Sequence, residues 1–310
     1  MSMSTVPRIA VLVPCYNEAV TVAQVIADFR AALPDAEICV FDNNSKDDTG
    51  AIARDHGARV QRVTLQGKGH VVRRLFADVE ADLYVMVDGD DTYHAASAPA
   101  LVQCLREGAH DMVVAVRKHE AEAAYRAGHV WGNRMLTGFL SRLFGRPCKD
   151  ILSGYRVFSR RFAKSFPVLT AGFDIETELT VHALELKMSV GEVDTPYKER
   201  PEGSFSKLST YRDGFRILKT MLRLFSAERP LAFFGGFAAV LALAGIGFGI
   251  PVILDYLQTG LVPRFPTAIL STGLMILAAL SGFAGLILDT VTRGRRELKM
   301  LAYLQHPAPR

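Results

Sequence analysis

Two stretches of this chain, Leu231–Leu254 and Phe265–Leu288, carry no charged residue, and they constrain its fold more than any other feature. Each exceeds the roughly 20 apolar residues that a helix needs to cross a hydrocarbon core of about 30 Å. Helices buried in a soluble core seldom stay free of charge for so long. Glycines at 235, 236, 245, 247 and 249 would weaken a soluble helix but are ordinary in a membrane span. The expectation is two spans joined by the connector Asp255–Arg264, with Pro251 kinking the first. Arg216, Lys219, Arg223 and Arg229 precede the pair and Arg293, Arg295, Arg296 and Lys299 follow it, whereas the connector offers only Arg264. The positive-inside rule then places both flanks, and residues 1–230 with them, in the cytoplasm. The opening MSMSTVPRIAVLVP has no charged region ahead of a long apolar core, so no signal peptide is expected. Cys15, Cys39, Cys104 and Cys148 show neither metal-ligand spacing nor a disulfide framework, as suits a reducing compartment.

Residues 1–230 alternate between the two regular periods. Arg8–Pro14 is a short apolar run rich in β-branched residues and reads as a buried strand, and Glu37–Asp42, Arg59–Val63, Leu83–Val87 and Asp111–Val116 read as the further strands. Between them, Glu18–Leu33, Asp47–His56, Gly69–Glu80 and Ala100–Glu107 read as helices, the last with Ser97 as its cap and Pro99 in its first turn. This alternation predicts an α/β fold, a mostly parallel sheet flanked by helices. Ligands of such sheets bind at the carboxyl ends of the strands, which directs attention to the polar runs found there.

Four such runs follow successive strands: Pro14–Glu18 (PCYNE), Asp42–Thr49 (DNNSKDDT), Gln66–Gly69 (QGKG) and Asp88–Asp91 (DGDD). Any one could be a solvated loop, but four on one sheet edge point to a site. The three carboxylates of Asp88, Asp90 and Asp91 repel one another unless a cation joins them. Hard oxygen ligands suit Mg²⁺ or Mn²⁺, which typically bridge one or two carboxylates to a diphosphate. Gly89 would let the chain turn so that Asp88 and Asp90 face one pocket. Gly67, Lys68 and Gly69 bring a turn, a cation and a helix N-terminus, all favourable to phosphate. Neither GxxxxGK[ST] nor GxGxxG is present after a strand, which argues against a P-loop and a dinucleotide site. Eight histidines without a paired helical spacing argue against zinc.

With DILSGYRVFSRR at 150–161 and RPEGSFSK at 200–207 added, the chain resembles the family 2 glycosyltransferases of GT-A fold, and among them the polyprenyl-phosphate (dolichyl-phosphate-type) enzymes with two C-terminal spans. The resemblance covers roughly residues 8–228. It implies a nucleotide-sugar donor lined by Pro14, Tyr16, Asn17, Glu18, Asp42, Gly67, Lys68, Gly69 and Asp88, and a divalent metal held by Asp90 with Asp91. It implies catalytic posts for Asp88, Asp90, Asp150 and Arg156. Arg117, Arg156, Arg200, Ser206 and Lys207 would meet donor and lipid phosphates. The reaction so implied moves a hexose from a nucleotide sugar to a polyprenyl phosphate with inversion; the motifs do not name the sugar, and a UDP-sugar is slightly preferred to GDP-mannose as the expected donor. The expected partners are membrane lipid and a further copy of the chain as a possible homo-oligomer, without nucleic acid, and the expected place is the cytoplasmic face of the inner membrane.

Tyr211, Phe215, Leu218, Leu222 and Phe225 form one helical stripe, and Arg212, Arg216, Lys219 and Arg223 form the next. A helix of that kind fits the membrane interface or the catalytic core. The eight Lys/Arg and four Asp/Glu of residues 198–229 leave +4, the formal net charge of the whole chain, so the positive charge is local. The expected organisation is a catalytic domain at 1–207, an interfacial helix at 208–229, the spans within 230–289 and a basic cytoplasmic tail at 290–310. Trp131–Phe144 reads as an apolar helix. Two alternatives stand beside this reading. A processive polysaccharide synthase shares the fold, but its Gln-x-x-Arg-Trp motif is missing. A non-catalytic membrane partner would have no need of Asp88, Asp90, Arg156 and Lys207.

Overall fold

The computed structural model describes residues 7–119, 135, 137–139, 141–145, 149–167, 175–198 and 210–309, with side chains at all of these but 119 and 210–218. The chain forms two compact units, Met1–Gly214 with Leu298–Arg310, and Phe215–Glu297.

The first unit is built on a seven-stranded sheet of β1 (Ile9–Cys15), β2 (Glu37–Asp42), β3 (Arg59–Arg62), β4 (Leu83–Met86), β5 (Met112–His119), β6 (Arg156–Ser159) and β7 (Val190–Tyr197). The order is β3-β2-β1-β4-β6-β5-β7; all neighbours are parallel except β6, which runs against both β4 and β5. β1, β2, β4 and most of β5 are buried on both faces, whereas edge strand β3 (RVQR) is only half-buried or exposed, and successive side chains feed two cores. Ala10 and Leu12 join Phe41, Met86 and Phe158 beneath α3 (Lys68–Asp78), α5 (Arg160–Ser165) and α6 (Ile175–Glu185). Val11 and Val13 join Val40, Val85 and Val157 beneath α1 (Val22–Ala32) and α4 (Ala98–Glu107). Short α2 (Thr49–Asp55) contributes Ala53 to this second core.

The five expected strands are present, and β6 and β7 are additional. Arg156–Ser159 is four residues long, and Val190–Tyr197 includes Pro196 and mixed burial, so neither shows a clean period. The first helix begins at Val22 rather than Glu18, because Asn17 takes a left-handed φ of 54° and Thr21 and Val22 donate back to Glu18 O. Ser97 holds the N-cap position of α4 at the end of a short 3₁₀ turn, but its side chain makes no capping bond and lies 3.0 Å from His94 Nδ1, while Pro99 sits in the first turn. The expected helix Trp131–Phe144 is helical at its described positions, 135, 137–139 and 141–144.

The second unit holds all but the first turn of α7 (Thr210–Glu228), the whole of α8 (Pro230–Thr259) and α9 (Phe265–Leu304) up to Glu297. α8 and α9 are long and apolar enough to cross a membrane, and most of their apolar windows lie open. Small residues let them approach: a side chain at Gly245 would press on Met275 at 3.1 Å, and one at Gly285 on Phe234 at 3.0 Å. Ser271 and Ser281 donate across the pair to Gly245 O and Phe234 O. A side chain at Gly235 or Gly236 would meet nothing within 4 Å. Pro251 is accommodated inside a continuous α8. The last carbonyls of α7 are capped by Thr292 on Ala227 O and by Arg296 on Glu228 O at 2.8 Å.

Residues 290–304, expected in a tail, instead continue α9, and the final turns belong to the first unit. There Met300 and Tyr303 pack on the core, Tyr303 donates to Asp111 Oδ2 at 3.1 Å, and Lys299 meets Glu185 Oε2 at 2.6 Å. Asp111 is buried, and Arg161 bonds it while stacking over the Tyr303 ring.

Candidate active site

The carboxyl ends of β1, β2 and β4 lie side by side, with Cys15 paired in register with Asp42. The loops leaving β1 and β2 are laced together. Asn17 N–H donates to Ser45 Oγ and Lys46 N–H returns to Asn17 Oδ1, both at 2.9 Å. Glu18 N–H donates to Thr49 Oγ1, also at 2.9 Å, and Asp47 accepts from Ala19 and Thr49. Asp42 accepts Ser45 N–H at its own strand end. Asn17, expected to line a nucleotide, therefore spends its side-chain oxygen on the neighbouring loop.

Asn43 ties in the third loop. Its amide nitrogen donates to Val63 O and Leu65 O, and its oxygen accepts Gly67 N–H at 2.7 Å. Gly67 has φ 134°, a conformation that L side chains rarely adopt, and the following Lys68 opens α3. The Lys68 ammonium lies 2.5 Å from both Asp88 Oδ1 and Glu176 Oε1. Burial opposes its charge, but these two carboxylates outweigh it and hold the lysine protonated well above its ordinary range.

The Asp88–Asp91 turn is fixed by contact. A side chain at Gly89 would come within 2.6 Å of Cys15 Sγ, so the glycine serves close packing rather than an unusual φ. Thr21 donates to Gly89 O at 2.6 Å. Asp90 is buried and accepts from Thr92 Oγ1 at 2.7 Å. Asp91 has φ 53° and faces Lys198 Nζ at 3.5 Å, so the structure pairs it with a cation, a different setting from the metal post expected of it. Among the described residues no three His, Cys, Asp or Glu side chains gather as a ready metal cage. The surroundings nevertheless favour a cation. Burial, and then the carboxylates of Glu18, Asp42, Asp88 and Asp90, push the Cys15 thiol well up. Of those four acids, Lys68 is ion-paired with Asp88. Two oxygen-donor residues in an anionic pocket suit a hard divalent ion that takes its remaining ligands from water and a diphosphate.

The 150–156 motif arrives at the same edge. A side chain at Gly154 would overlap the Asp88 carboxylate, so the glycine leaves room for it. Gly154 N–H donates to Tyr93 OH at 2.8 Å. Asp150 binds Arg117 bidentately, at 2.7 Å to Nε and 2.9 Å to Nη2, and that guanidinium stands 5.5 Å from the centre of the Tyr197 ring. Burial raises the Asp150 carboxyl, but Arg117 outweighs this and holds it below its usual range. Arg156, expected on phosphate, is fully buried. It donates to Ser153 O, Ile151 O and Thr180 Oγ1 at 2.9, 2.5 and 2.9 Å. Carbonyl acceptors buy its burial, and its task is to shape the motif from beneath. Arg200, Ser206 and Lys207 lie outside the described residues.

Sequence reasoning did not single out Asn43, Glu176, Tyr93, Tyr197 or Lys198. Asn43 lies within the Asp42–Thr49 run, but its inward direction carries no sequence signal; Glu176 reaches the site only through the packing of α6.

A sheet of this order, with its polar loops gathered at one edge, is the architecture of a GT-A glycosyltransferase. The crystal structure of glucosyl-3-phosphoglycerate synthase from Mycobacterium tuberculosis superimposes with a TM-score of 0.59 at 23% identity, over 70% of this chain and 79% of that one. Residues 10–166 match the model for glycosyl transferase family 2, and the chain belongs to that family. Over 298 residues it is 32% identical to glycosyltransferase AglJ of Haloferax volcanii, covering 95% of this chain and 97% of the relative. The dolichyl-phosphate hexose transferase of the same organism is 29% identical, over 74% of this chain and 99% of its own. The protein is thus a glycosyltransferase.

Proposed function

We propose that this glycosyltransferase moves a hexose from a nucleotide sugar, a UDP-sugar in preference to GDP-mannose, to a polyprenyl monophosphate at the cytoplasmic face of the inner membrane, with inversion. The observation that carries this reading is the close approach of the Asp88 carboxylate to Gly154, which brings the donor-side turn and the 150–156 motif together. The name of the Haloferax hexose transferase supports the acceptor class. The two apolar helices and their basic flanks support the membrane and its cytoplasmic side. The mycobacterial synthase has been crystallised with Mn²⁺ and uridine diphosphate, which supports the choice of nucleotide and metal.

The lipid phosphate is already largely ionised near neutral pH, so the nucleophile needs little deprotonation. One of its oxygens forms a bond to the anomeric carbon while the bond to the nucleoside diphosphate breaks, and the leaving group departs with its electron pair. The barrier lies in bringing two anions together. Arg117, held by Asp150 and Tyr197, presents a preoriented guanidinium, with Arg200, Ser206 and Lys207 completing the phosphate contacts. Asp150 acts by orienting Arg117, not as a base. Asp88 approaches the sugar, and Asp90 would hold Mg²⁺ or Mn²⁺. Such an ion, when bound, supplies charge neutralisation on the departing diphosphate. Pro14, Tyr16, Glu18 and Asp42 line the nucleotide, with Gly67 and Gly69 beside it.

The test is transfer of label from a panel of radiolabelled nucleotide sugars to added polyprenyl phosphate in membranes carrying the chain. A labelled, chloroform-soluble lipid with inverted anomeric configuration is expected. A retained configuration overturns the displacement, and an unlabelled lipid with every donor overturns the acceptor.

A further inference from the structure

Glu176 belongs to none of the motifs at the strand ends, yet it ends on the residue that holds Asp88. It lies on α6, 7% exposed, and accepts the Lys68 ammonium at 2.5 Å across 108 residues of sequence. The hydroxyl of Thr180, one turn on, donates to Glu176 O at 3.0 Å and accepts from Arg156 Nη1 at 2.9 Å. Arg156 in turn holds Ile151 O and Ser153 O, and that segment leads into Gly154, against which Asp88 rests. The links close a ring: Asp88, Lys68, Glu176, Thr180, Arg156, the 151–154 segment, and Asp88 again.

A flexible lysine between a pocket acid and solvent would follow whichever anion came nearest. Two opposed carboxylates remove that freedom, because the ammonium has short hydrogen bonds to satisfy on both sides. We propose that Glu176 is a positioning residue for the donor pocket: by holding Lys68 it sets where the Asp88 carboxylate stands against the 150–156 segment. The proposal rests on the donor reading above for what the pocket receives.

The experiment measures the affinity of the purified full-length chain for UDP and for GDP, each with Mn²⁺, by calorimetry across a pH series, with thermal unfolding alongside. For the nucleotide that binds, Glu176→Gln is expected to weaken affinity roughly tenfold, the size of losing one charge-assisted hydrogen bond. With one of the two acids gone, Lys68 gives up its proton more easily, so affinity in this variant falls at a lower alkaline pH than any fall shown by the wild type. Glu176→Asp restores that limb toward the wild-type pH. An unchanged affinity and pH profile in Glu176→Gln overturns the role of Glu176. So does a lowered melting temperature with wild-type affinity in the folded fraction, which marks a purely structural acid. A wild-type chain that binds neither nucleotide overturns the donor reading itself.

Discussion

The globular unit and the helical pair use glycine in opposite ways. In the globular unit, Gly89 and Gly154 make room for polar side chains, the Cys15 thiol and the Asp88 carboxylate. In the helical pair, Gly245 and Gly285 make room for a neighbouring helix, and the hydroxyls of Ser271 and Ser281 close the gap onto its carbonyls. Buried acidic and basic residues follow the same divide. Asp90, Asp150 and Arg156 are all buried in the first unit, each with partners, while the second leaves Leu243 and Leu257 more than 70% exposed. In one unit close packing sets the direction of charge; in the other it only brings backbones together.

Breaking the charge side of this contrast has the largest expected effect. Asp90→Ala is expected to lower transfer by about 10³-fold, comparable with the loss of a main electrostatic post, without loss of membrane association. Labelled-lipid formation and membrane flotation check it, and full activity in chelator-treated membranes would remove the metal from the scheme. Gly154→Ala is next. The added methyl displaces the Asp88 carboxylate, and a misplacement of that order costs up to about 10²-fold in rate. The melting temperature should move far less than the rate, which separates a pocket effect from a folding one.

Asp150→Asn sharpens the contrast through pH. It replaces a charged acceptor of Arg117 and should cost about 2 kcal/mol of stability at neutral pH. Because the native Asp150 carboxyl titrates below its ordinary range, its stabilisation is complete above about pH 4 and is lost as the pH falls through the lower native value. Denaturant titrations of the two proteins should therefore differ at pH 7 and converge only in stronger acid. The smallest effect lies in the helical pair: Gly285→Leu, which overpacks against Phe234, should cost about 1 kcal/mol, while Gly235→Leu costs nothing measurable within one chain. Unfolding in detergent, followed by circular dichroism, compares them.

The strands buried on both faces could be read directly, because unbroken β-branched runs have few other uses, and the polar loops at their ends followed from the topology. The antiparallel β6 could not, since RVFS has no period of its own and its place is set by β4 and β5. Arg156 shows the limit on site residues. A cation beside a motif looks the same in sequence whether it faces a phosphate or three buried oxygen acceptors. Glu176 shows the converse, an acid on a helix that only tertiary packing carries to Lys68.

The lacing of Asn17, Ser45, Lys46 and Thr49 has a thermodynamic consequence. A pocket whose loops are already cross-tied has few backbone torsions left to freeze when a ligand enters, so little of the binding enthalpy is cancelled by ordering. Cutting one tie, as in Ser45→Ala, should then weaken association mainly through a more unfavourable binding entropy, since the contacts to the ligand itself remain.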